Sequence, residues 1–450
     1  MNFWHLAYNL AALPLARVSS RLAAGFRPKV SRGLRGRKRS FAEIESYLSA
    51  SGHGPSATGG ILFHATSVGE YLQALPLMRE LKAASKECPL YLSFFSPSVE
   101  KRARACAHTD LVFYLPEDTR ANISRLLGLL KPALIVISKF DIWPNLVTQA
   151  DRSGIPVAVT AATLSPDSGR LRGLSGRFHK SFYPGLDLVC AIAQNDANNF
   201  IRLGVKAENC IVTGDTRFDQ TWQRASEVAG HDPLVVPFNG WDSHFRFACG
   251  SIWPADQQHL LPALADLCHR HEHFRLILAP HEPTRPHVES LVCFLEENGL
   301  AYELYSALAG PDHRDGPSHV ASSTKAVVVD TTGVLAAVYQ AADAVYVGGS
   351  FGKGVHNVME PACFGLPVIF GPHHLNSYEA LLMIEHGGAF AVKNSAEVVQ
   401  IAGRLIQDEI FCRQAGQNAR AVVRENLGAT GKTLEALARK FPEVIGPLPQ

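Results

Sequence analysis

The stretch ILFHATSVGEYLQALPLMREL, Ile61–Leu81, reads as a strand, a tight turn and a helix in immediate succession. Ile61 to His64 is an apolar run of strand length, Ser67 and Gly69 permit the turn, and Glu70 falls near the start of the helix. Leu72, Leu75, Met78 and Leu81 give that helix an apolar face at helical spacing. Outward from this unit the pattern repeats, with further strands expected at Leu90 to Phe95, Leu111 to Leu115, Ala133 to Ile137, Val157 to Thr160, Leu188 to Ile192 and Ile211 to Thr213. Their continuous apolar character suits parallel sheets covered on both faces. The pattern lapses over 222–245, read as a linker, and resumes at Phe245 to Cys249, Phe274 to Ala279, Ala326 to Val329, Ala344 to Val347 and Pro367 to Phe370. The fold class is therefore α/β, with two Rossmann-like domains in tandem. Open α/β sheets bind ligands at the carboxyl ends of their strands, so a cleft between two such ends is expected.

The length of 450 residues, with 46% hydrophobic and 19% charged side chains, fits two or three domains, and disorder is not the default reading. No apolar run approaches the ~18 residues of a membrane span. Nine cysteines without a C-x-x-C pair argue against a disulfide framework or a zinc cluster and for a reduced, cytosolic chain. Histidine clusters at His269, His271 and His273 and at His373-His374 could suggest a metal, but no carboxylate or histidine spacing makes a facial site, so no metal is expected. Gly310 to Ser323 (GPDHRDGPSHVASS) reads as a mobile loop.

The formal charge of +2 suggests no nucleic-acid partner, but it conceals a partition. Residues 1–42 hold nine Arg or Lys and no Asp or Glu, leaving 34 basic against 41 acidic side chains for the remainder. Ahead of the basic run stands FWHLAYNLAALPLA, Phe3–Ala16, apolar but only 14 residues long. A secretory signal would carry its charge before the apolar stretch, not after it. The expected role is an interfacial helix on an anionic cytoplasmic leaflet; a basic arm docked on its own protein is the alternative.

Several motifs follow predicted strands. Glu70 in HATSVGEY admits two roles, complementing a helix dipole or acting as a general base. In SKFDIWPNL (Ser138–Leu146), Lys139 and Asp141 flank a strand end, as a site pair or an ordinary surface pair, and Trp143 reads as a packing residue. TGDTRFDQ (Thr213–Gln220) offers Arg217, whose planar fork suits phosphate or carboxylate, and Asp219; a solvent-exposed hinge arginine is the plain alternative. In the second half, APHEPTR and VDTTGVL each follow a strand. VGGSFGKGVHNVMEPACFGLPVIFGP (Val347–Pro372) pairs a glycine loop with a helix expected over Val355 to Phe364, whose N-terminus suits an anionic phosphate, and Glu360 suits ribose hydroxyls. It is neither G-x-G-x-x-G nor a P-loop.

Together with FFSPSVEKRA, YLPEDT and GSIWPAD, these strings resemble the 3-deoxy-D-manno-octulosonic acid (Kdo) transferases of lipopolysaccharide synthesis, from about Ile61 to about Gly388. The resemblance implies an inverting glycosyltransferase of GT-B fold, two Rossmann-like domains facing a central cleft, transferring Kdo from CMP-Kdo to a lipid A precursor without cofactor or metal. It implies residues 1–42 as a basic membrane anchor, 43–222 as the acceptor domain, 223–244 as the linker and 245–450 as the CMP-sugar domain. The partners are then CMP-Kdo, the lipid acceptor and the anionic cytoplasmic face of the inner membrane. The family's proton acceptor falls on Glu70 and its transition-state-stabilising basic residue on Arg217. CMP contacts fall on Pro280, His281, Thr332, Gly333, Val334, Asn357, Val358, Met359 and Glu360. This chain departs from the family at Pro280-His281, where Pro-Arg is common, and at Thr332-Gly333-Val334, where Met-Gly-Glu is common. It also departs at Lys139, which stands where a catalytic Glu is expected. Competing readings are a GT-B lipid-directed transferase with another nucleotide sugar, a sugar-nucleotide epimerase, and a catalytically silent nucleotide-sugar-binding homologue.

Overall fold

In the computed structural model, residues 3–50, 59–228, 234–241, 245–309, 318–375 and 377–446 are described. The apolar runs of the first half become β1 (Ile61–Ala65), β2 (Leu90–Phe94), β3 (Leu111–Tyr114), β4 (Leu134–Ser138), β5 (Val157–Ala162), β6 (Leu188–Ala191) and β7 (Cys210–Val212). Those of the second half become β8 (Phe245–Ile252), β9 (Phe274–Pro280), β10 (Tyr302–Leu304), β11 (Ala326–Val328), β12 (Ala344–Val347), β13 (Val368–Phe370) and β14 (Ala389–Ala391). All recorded pairings are parallel, in the orders β3-β2-β1-β4-β5-β6-β7 and β10-β11-β9-β8-β12-β13-β14. β1, β2, β4, β5, β6, β9 and β12 are buried at every position, the signature of sheets covered by helices on both faces. Strand order reverses between β1 and β4 in one sheet and between β8 and β12 in the other. Those reversals open crevices at the carboxyl ends, where ligands of such sheets bind.

β10 and β14 are absent from the sequence expectation. Both are three-residue edge strands, and β10 is only half-buried, so neither leaves an apolar run long enough to read. On the helix Val68–Ala84 the buried apolar side chains are Tyr71, Ala74, Leu77, Met78 and Leu81, so Leu72 and Leu75 sit at the rim of the face and not at its centre.

The chain divides into a first unit of Met1–Gln220 with Leu427–Gln450 and a second of Thr221–Asn426. The expected partition gave the whole C-terminus to the second domain, and the structure differs there. The helix Ala429–Lys440 packs Leu434, Ala436 and Leu437 into the apolar cluster that holds Phe63, Leu77 and Leu92 of the first unit. The chain thus recrosses before it ends. The expected linker also carries structure: the helix Thr216–Val228 runs into it, and Trp241, 1% exposed, donates its indole N–H to Thr324 O. Its residues 229–233 and 242–244 lie outside the described residues, as does 310–317 of the expected mobile loop.

The N-terminal arm is helical and docks on the first unit by its polar face. His5 Nε2 meets Thr148 Oγ1 at 2.9 Å, Tyr8 donates to Asp118 at 2.9 Å, Asn9 and Asn145 exchange amide hydrogen bonds, and Arg17 pairs with Glu117 at 2.8 Å. Its apolar side chains Phe3, Leu10, Leu15, Leu22 and Phe26 remain exposed, Phe26 to 90%. The helix Pro28–Ala50 runs through the expected boundary at residue 42 and buries Ile44 in the core of that unit. Among the described residues no helix is long and apolar enough to cross a membrane, and all nine cysteines are free.

Candidate active site

The first crevice is lined by the turns after β1 and β4. Ser67 ends β1's extension and caps the helix Val68–Ala84, accepting Glu70 N–H at 3.4 Å, while Glu70 Oε2 accepts the N–H groups of Ser67 at 2.9 Å and Thr66 at 2.5 Å. This reciprocal capping box is the plain structural role for Glu70. It occupies one oxygen only. Oε1 has no hydrogen-bond partner among the described residues, so it is the oxygen available to a proton. Glu70 is 3% exposed, and burial first, then the Asp141 carboxylate, pushes its carboxyl up to about 7. The two backbone N–H groups and the Lys139 ammonium pull the other way. A carboxyl poised near neutrality at a strand-end crevice has the properties of a general base.

Lys139 itself follows β4 in a left-handed conformation, φ 71°, with its N–H on Thr160 O at 2.8 Å. For a side chain with a Cβ this conformation costs about 1–2 kcal/mol, and such strain concentrates at functional sites. The Nζ atom lies 5.3 Å from the Phe140 ring centroid, and the Arg170 guanidinium lies 4.5 Å from the same centroid. Asp141 pairs with Arg170, at 3.4 Å, rather than with Lys139.

Beneath this surface His64, 1% exposed, fixes the two turns to each other. Trp143 donates its indole N–H to His64 Nε2 at 3.0 Å, which leaves the imidazole proton on Nδ1, facing Ser93 Oγ at 3.0 Å. Trp143 also packs on Phe95, with ring centroids 4.9 Å apart, so its expected packing role holds. Asp118 of the YLPEDT string accepts the N–H groups of Asn145 and Leu146 at the start of the helix Pro144–Arg152. Two strings that the sequence presents separately are one capped turn.

Arg217 opens the helix Thr216–Val228. Its guanidinium is held by the buried Asp215, and Asp215 is in turn reached by Gln73 Nε2 at 3.2 Å. Gln73 lies one turn beyond Glu70, and its carbonyl accepts Thr216 Oγ1 at 2.7 Å. The structure therefore binds the Glu70 helix and the Arg217 turn into one hydrogen-bonded unit. Asp219 faces elsewhere: its two oxygens accept Gly428 and Thr430 N–H at 2.7 and 2.6 Å, capping the C-terminal helix. Gln73 and Asp215 escaped the sequence reading because neither residue type announces a positioning role.

The second crevice gathers the segments after β8, β9 and β12. Ser251 sits at φ 55° where β8 slips register against β9, and its carbonyl leaves no space at Gly348, where a Cβ would approach it to 2.2 Å. Asp256, fully buried, accepts Trp253 N–H at 2.9 Å, Gly349 N–H at 2.8 Å and the Tyr346 hydroxyl at 3.0 Å. One carboxylate thus ties the helix Pro254–Arg270 to the glycine loop. Pro280 ends β9 and His281 follows, with Trp253 and His356 against its ring.

The expected helix over Val355 to Phe364 is shorter than the sequence suggests, running Met359–Cys363. Val355 N–H is taken by His373 O and His356 N–H by Gly348 O, so the chain folds back on the loop before turning helical. Little dipole remains for a phosphate. Asn357 Oδ1 accepts Met359 N–H at 3.1 Å, and the side chains of Val358 and Met359 are buried, so these two residues offer only backbone to a ligand. Glu360 Oε1 lies 3.8 Å from Arg224 Nη1. Thr332 and Gly333 are exposed, and Val334 caps the short helix Leu335–Val338. Among the described residues no group of three or more His, Cys, Asp or Glu is arranged to hold a metal ion.

Comparison with known proteins bears on both halves. Residues 34–220 match the family described as 3-deoxy-D-manno-octulosonic-acid transferase (kdotransferase). The chain is 27% identical to the 3-deoxy-D-manno-octulosonic acid transferase of Haemophilus influenzae, over 84% of this chain and 86% of that one. It is 29% identical to the enzyme of the same name from Bordetella pertussis, over 83% and 86%. Among solved structures, the UDP-GlcNAc 2-epimerase of Neisseria meningitidis superimposes with a TM-score of 0.60 over 84% of this chain and all of that one, at 12% identity. That likeness shows the GT-B fold alone.

Proposed function

We propose that this chain, whose residues 34–220 match the 3-deoxy-D-manno-octulosonic-acid transferase family and which is 27–29% identical to enzymes of that name, is a glycosyltransferase that moves Kdo from CMP-Kdo to a hydroxyl of a lipid A precursor with inversion at the anomeric carbon. The observation that carries the proposal is Glu70: a buried carboxyl held near neutrality, one oxygen spent on capping and the other open, at the strand-order reversal of the first sheet.

In the proposed step the acceptor hydroxyl attacks the anomeric carbon as the bond from that carbon to the CMP phosphate oxygen breaks. The hydroxyl proton passes to Glu70 Oε1, and the bond's electron pair leaves with CMP. One displacement inverts the centre. The Lys139 ammonium opposes the rise in the Glu70 pKa and so favours the ionised form of the base. Arg217, braced by Asp215, supplies positive charge toward the departing phosphate. Pro280, His281, Thr332, Gly333, Val334 and Asn357 to Glu360 form the donor site of this reading. No metal is needed where protein donors meet the leaving-group charge.

The lipid acceptor gives the N-terminal arm its purpose. With its polar face committed to the first unit, the exposed Phe3, Leu10, Leu15, Leu22 and Phe26 suit insertion at the cytoplasmic face of the inner membrane, and the surrounding basic residues suit anionic headgroups. The deciding experiment is incubation with CMP-Kdo generated in situ and a lipid A precursor, followed by mass analysis of the lipid. A gain of Kdo mass is expected. Transfer from a UDP- or ADP-sugar and none from CMP-Kdo would overturn the donor assignment.

A further inference from the structure

Three rings at the carboxyl ends of β8, β9 and β12 form an arrangement that no sequence motif describes. Trp253 donates its indole N–H to His356 Nε2 at 2.7 Å, with ring planes 12° apart and centroids 6.2 Å apart. An in-plane hydrogen bond of this kind joins the two rings edge to edge. His281 lies over the pair, its centroid 4.4 Å from Trp253 and 4.3 Å from His356, at interplanar angles of 23° and 15°. Gly349 makes room for the arrangement, since a Cβ there would approach His356 Cδ2 to 2.7 Å.

The bond fixes the charge of one imidazole. Indole nitrogen only donates, so His356 Nε2 must accept, its proton sits on Nδ1, and protonating Nε2 would break the bond. The two histidines are therefore unequal. His281 is exposed, and neither of its ring nitrogens has a hydrogen-bond partner among the described residues. The groups around it are Trp253, His356, Glu282 and His287: Glu282 favours its charged form, while burial and His287 disfavour it, with burial the largest influence. The indole face beneath it supports a cation by about 0.5–1 kcal/mol at such an exposed site. Keeping His356 neutral removes the nearest like charge.

We propose that Trp253 and His356 are positioning residues for His281, confining protonation to that one imidazole, so that binding a nucleotide phosphate draws one proton onto His281. The proposal rests on the donor-site reading above and adds the charge state to it. A free His281 is neutral at pH 7.5, and an arriving dianion favours its cation, which then donates to a phosphate oxygen. The proton comes from solvent. No covalent bond changes.

The test is calorimetric titration of the full-length chain with CMP at pH 7.5, above the second ionisation of the phosphate, in two buffers of different ionisation enthalpy. Wild type is expected to take up about half to one proton per CMP, while cytidine, which lacks the phosphate, draws none. His281→Arg, permanently charged, is expected to bind CMP with uptake near zero. Trp253→Phe keeps an aromatic face but frees His356 Nε2; CMP affinity is expected to fall about three- to tenfold, and the histidine chemical shifts in an NMR titration to show a second imidazole taking protons. CMP binding by wild type without proton uptake, or uptake unchanged in His281→Arg, overturns the proposal and leaves the donor site standing. No CMP binding by folded wild type overturns both.

Discussion

Asp215 grips Arg217 from two sides: Oδ2 accepts Nε at 2.8 Å and stands 2.7 Å from Nη2, while Oδ1 accepts the Arg217 backbone N–H at 2.9 Å. Asp215 is 2% exposed, and Gln73, which donates to its Oδ1, belongs to the helix that carries Glu70. The aim of the guanidinium is thus set from the Glu70 helix. Asp215→Asn keeps the volume and removes the charge. Turnover is expected to fall about tenfold or more, against a stability loss of about 1–2 kcal/mol in urea unfolding, because the arginine head can still reach water. Unchanged turnover would show that Arg217 needs no such aim.

Glu70→Gln retains a residue competent for the capping box and deletes the base. A loss of about 10²- to 10⁴-fold in turnover is expected, with CMP binding retained in calorimetry. In wild type, activity should rise with pH through a limb near 7, the value to which burial lifts this carboxyl. The stability effect has the opposite sense. Between about 4.5 and 7 the folded protein holds a proton that the unfolded chain has lost, so this group's contribution declines as pH rises through that window. Above pH 7 the glutamine variant should therefore be more stable than wild type, by about 1–3 kcal/mol, read as a raised melting temperature.

His64 contributes with the reverse sign. Burial pushes its imidazole down to about 4, so the folded protein refuses a proton that the unfolded chain accepts near 6.5, and stability is lost on acidification between those values. Trp143→Phe removes the donor to Nε2, leaving Thr66 Oγ1 at 3.3 Å as substitute. A loss of about 1 kcal/mol at pH 7 is expected, with a shallower acid limb in urea unfolding because Nε2 is then easier to protonate.

Asp219 ties the end of the chain to its first unit. Asp219→Ala uncaps the helix Ala429–Lys440 and should cost about 1–2 kcal/mol. Hydrogen exchange should show the loss at residues 428–440 first, and uniform loosening of the whole chain would contradict the local role.

The exposed apolar side chains of the arm give a test of location that spares the fold. Leu15→Asp with Leu22→Asp alters side chains that are 67% and 68% exposed. Binding to vesicles containing anionic lipid should fall at least about tenfold, with an unchanged melting temperature. Undiminished vesicle binding would move the contact elsewhere.

The sequence by itself determined the two series of strands, because a strand buried on both faces must be apolar throughout, and it directed attention to the strand ends, because ligands meet such sheets there. Glu70, Lys139, Arg217 and His281 all stand just past a strand, the position that made them candidates. What only the tertiary structure decided is partnership. Helical periodicity shows that Leu434 and Leu437 need a partner but not which sheet supplies it, and they pack in the first unit. Glu70 caps its helix through one oxygen and leaves the other without a hydrogen-bond partner among the described residues, a distinction no residue spacing encodes. Asp219 caps a helix more than two hundred residues away, and Trp253 sets the tautomer of His356 across 2.7 Å. Periodicity reports the burial of single positions. Hydrogen bonds between distant residues arise only when the chain has closed on itself.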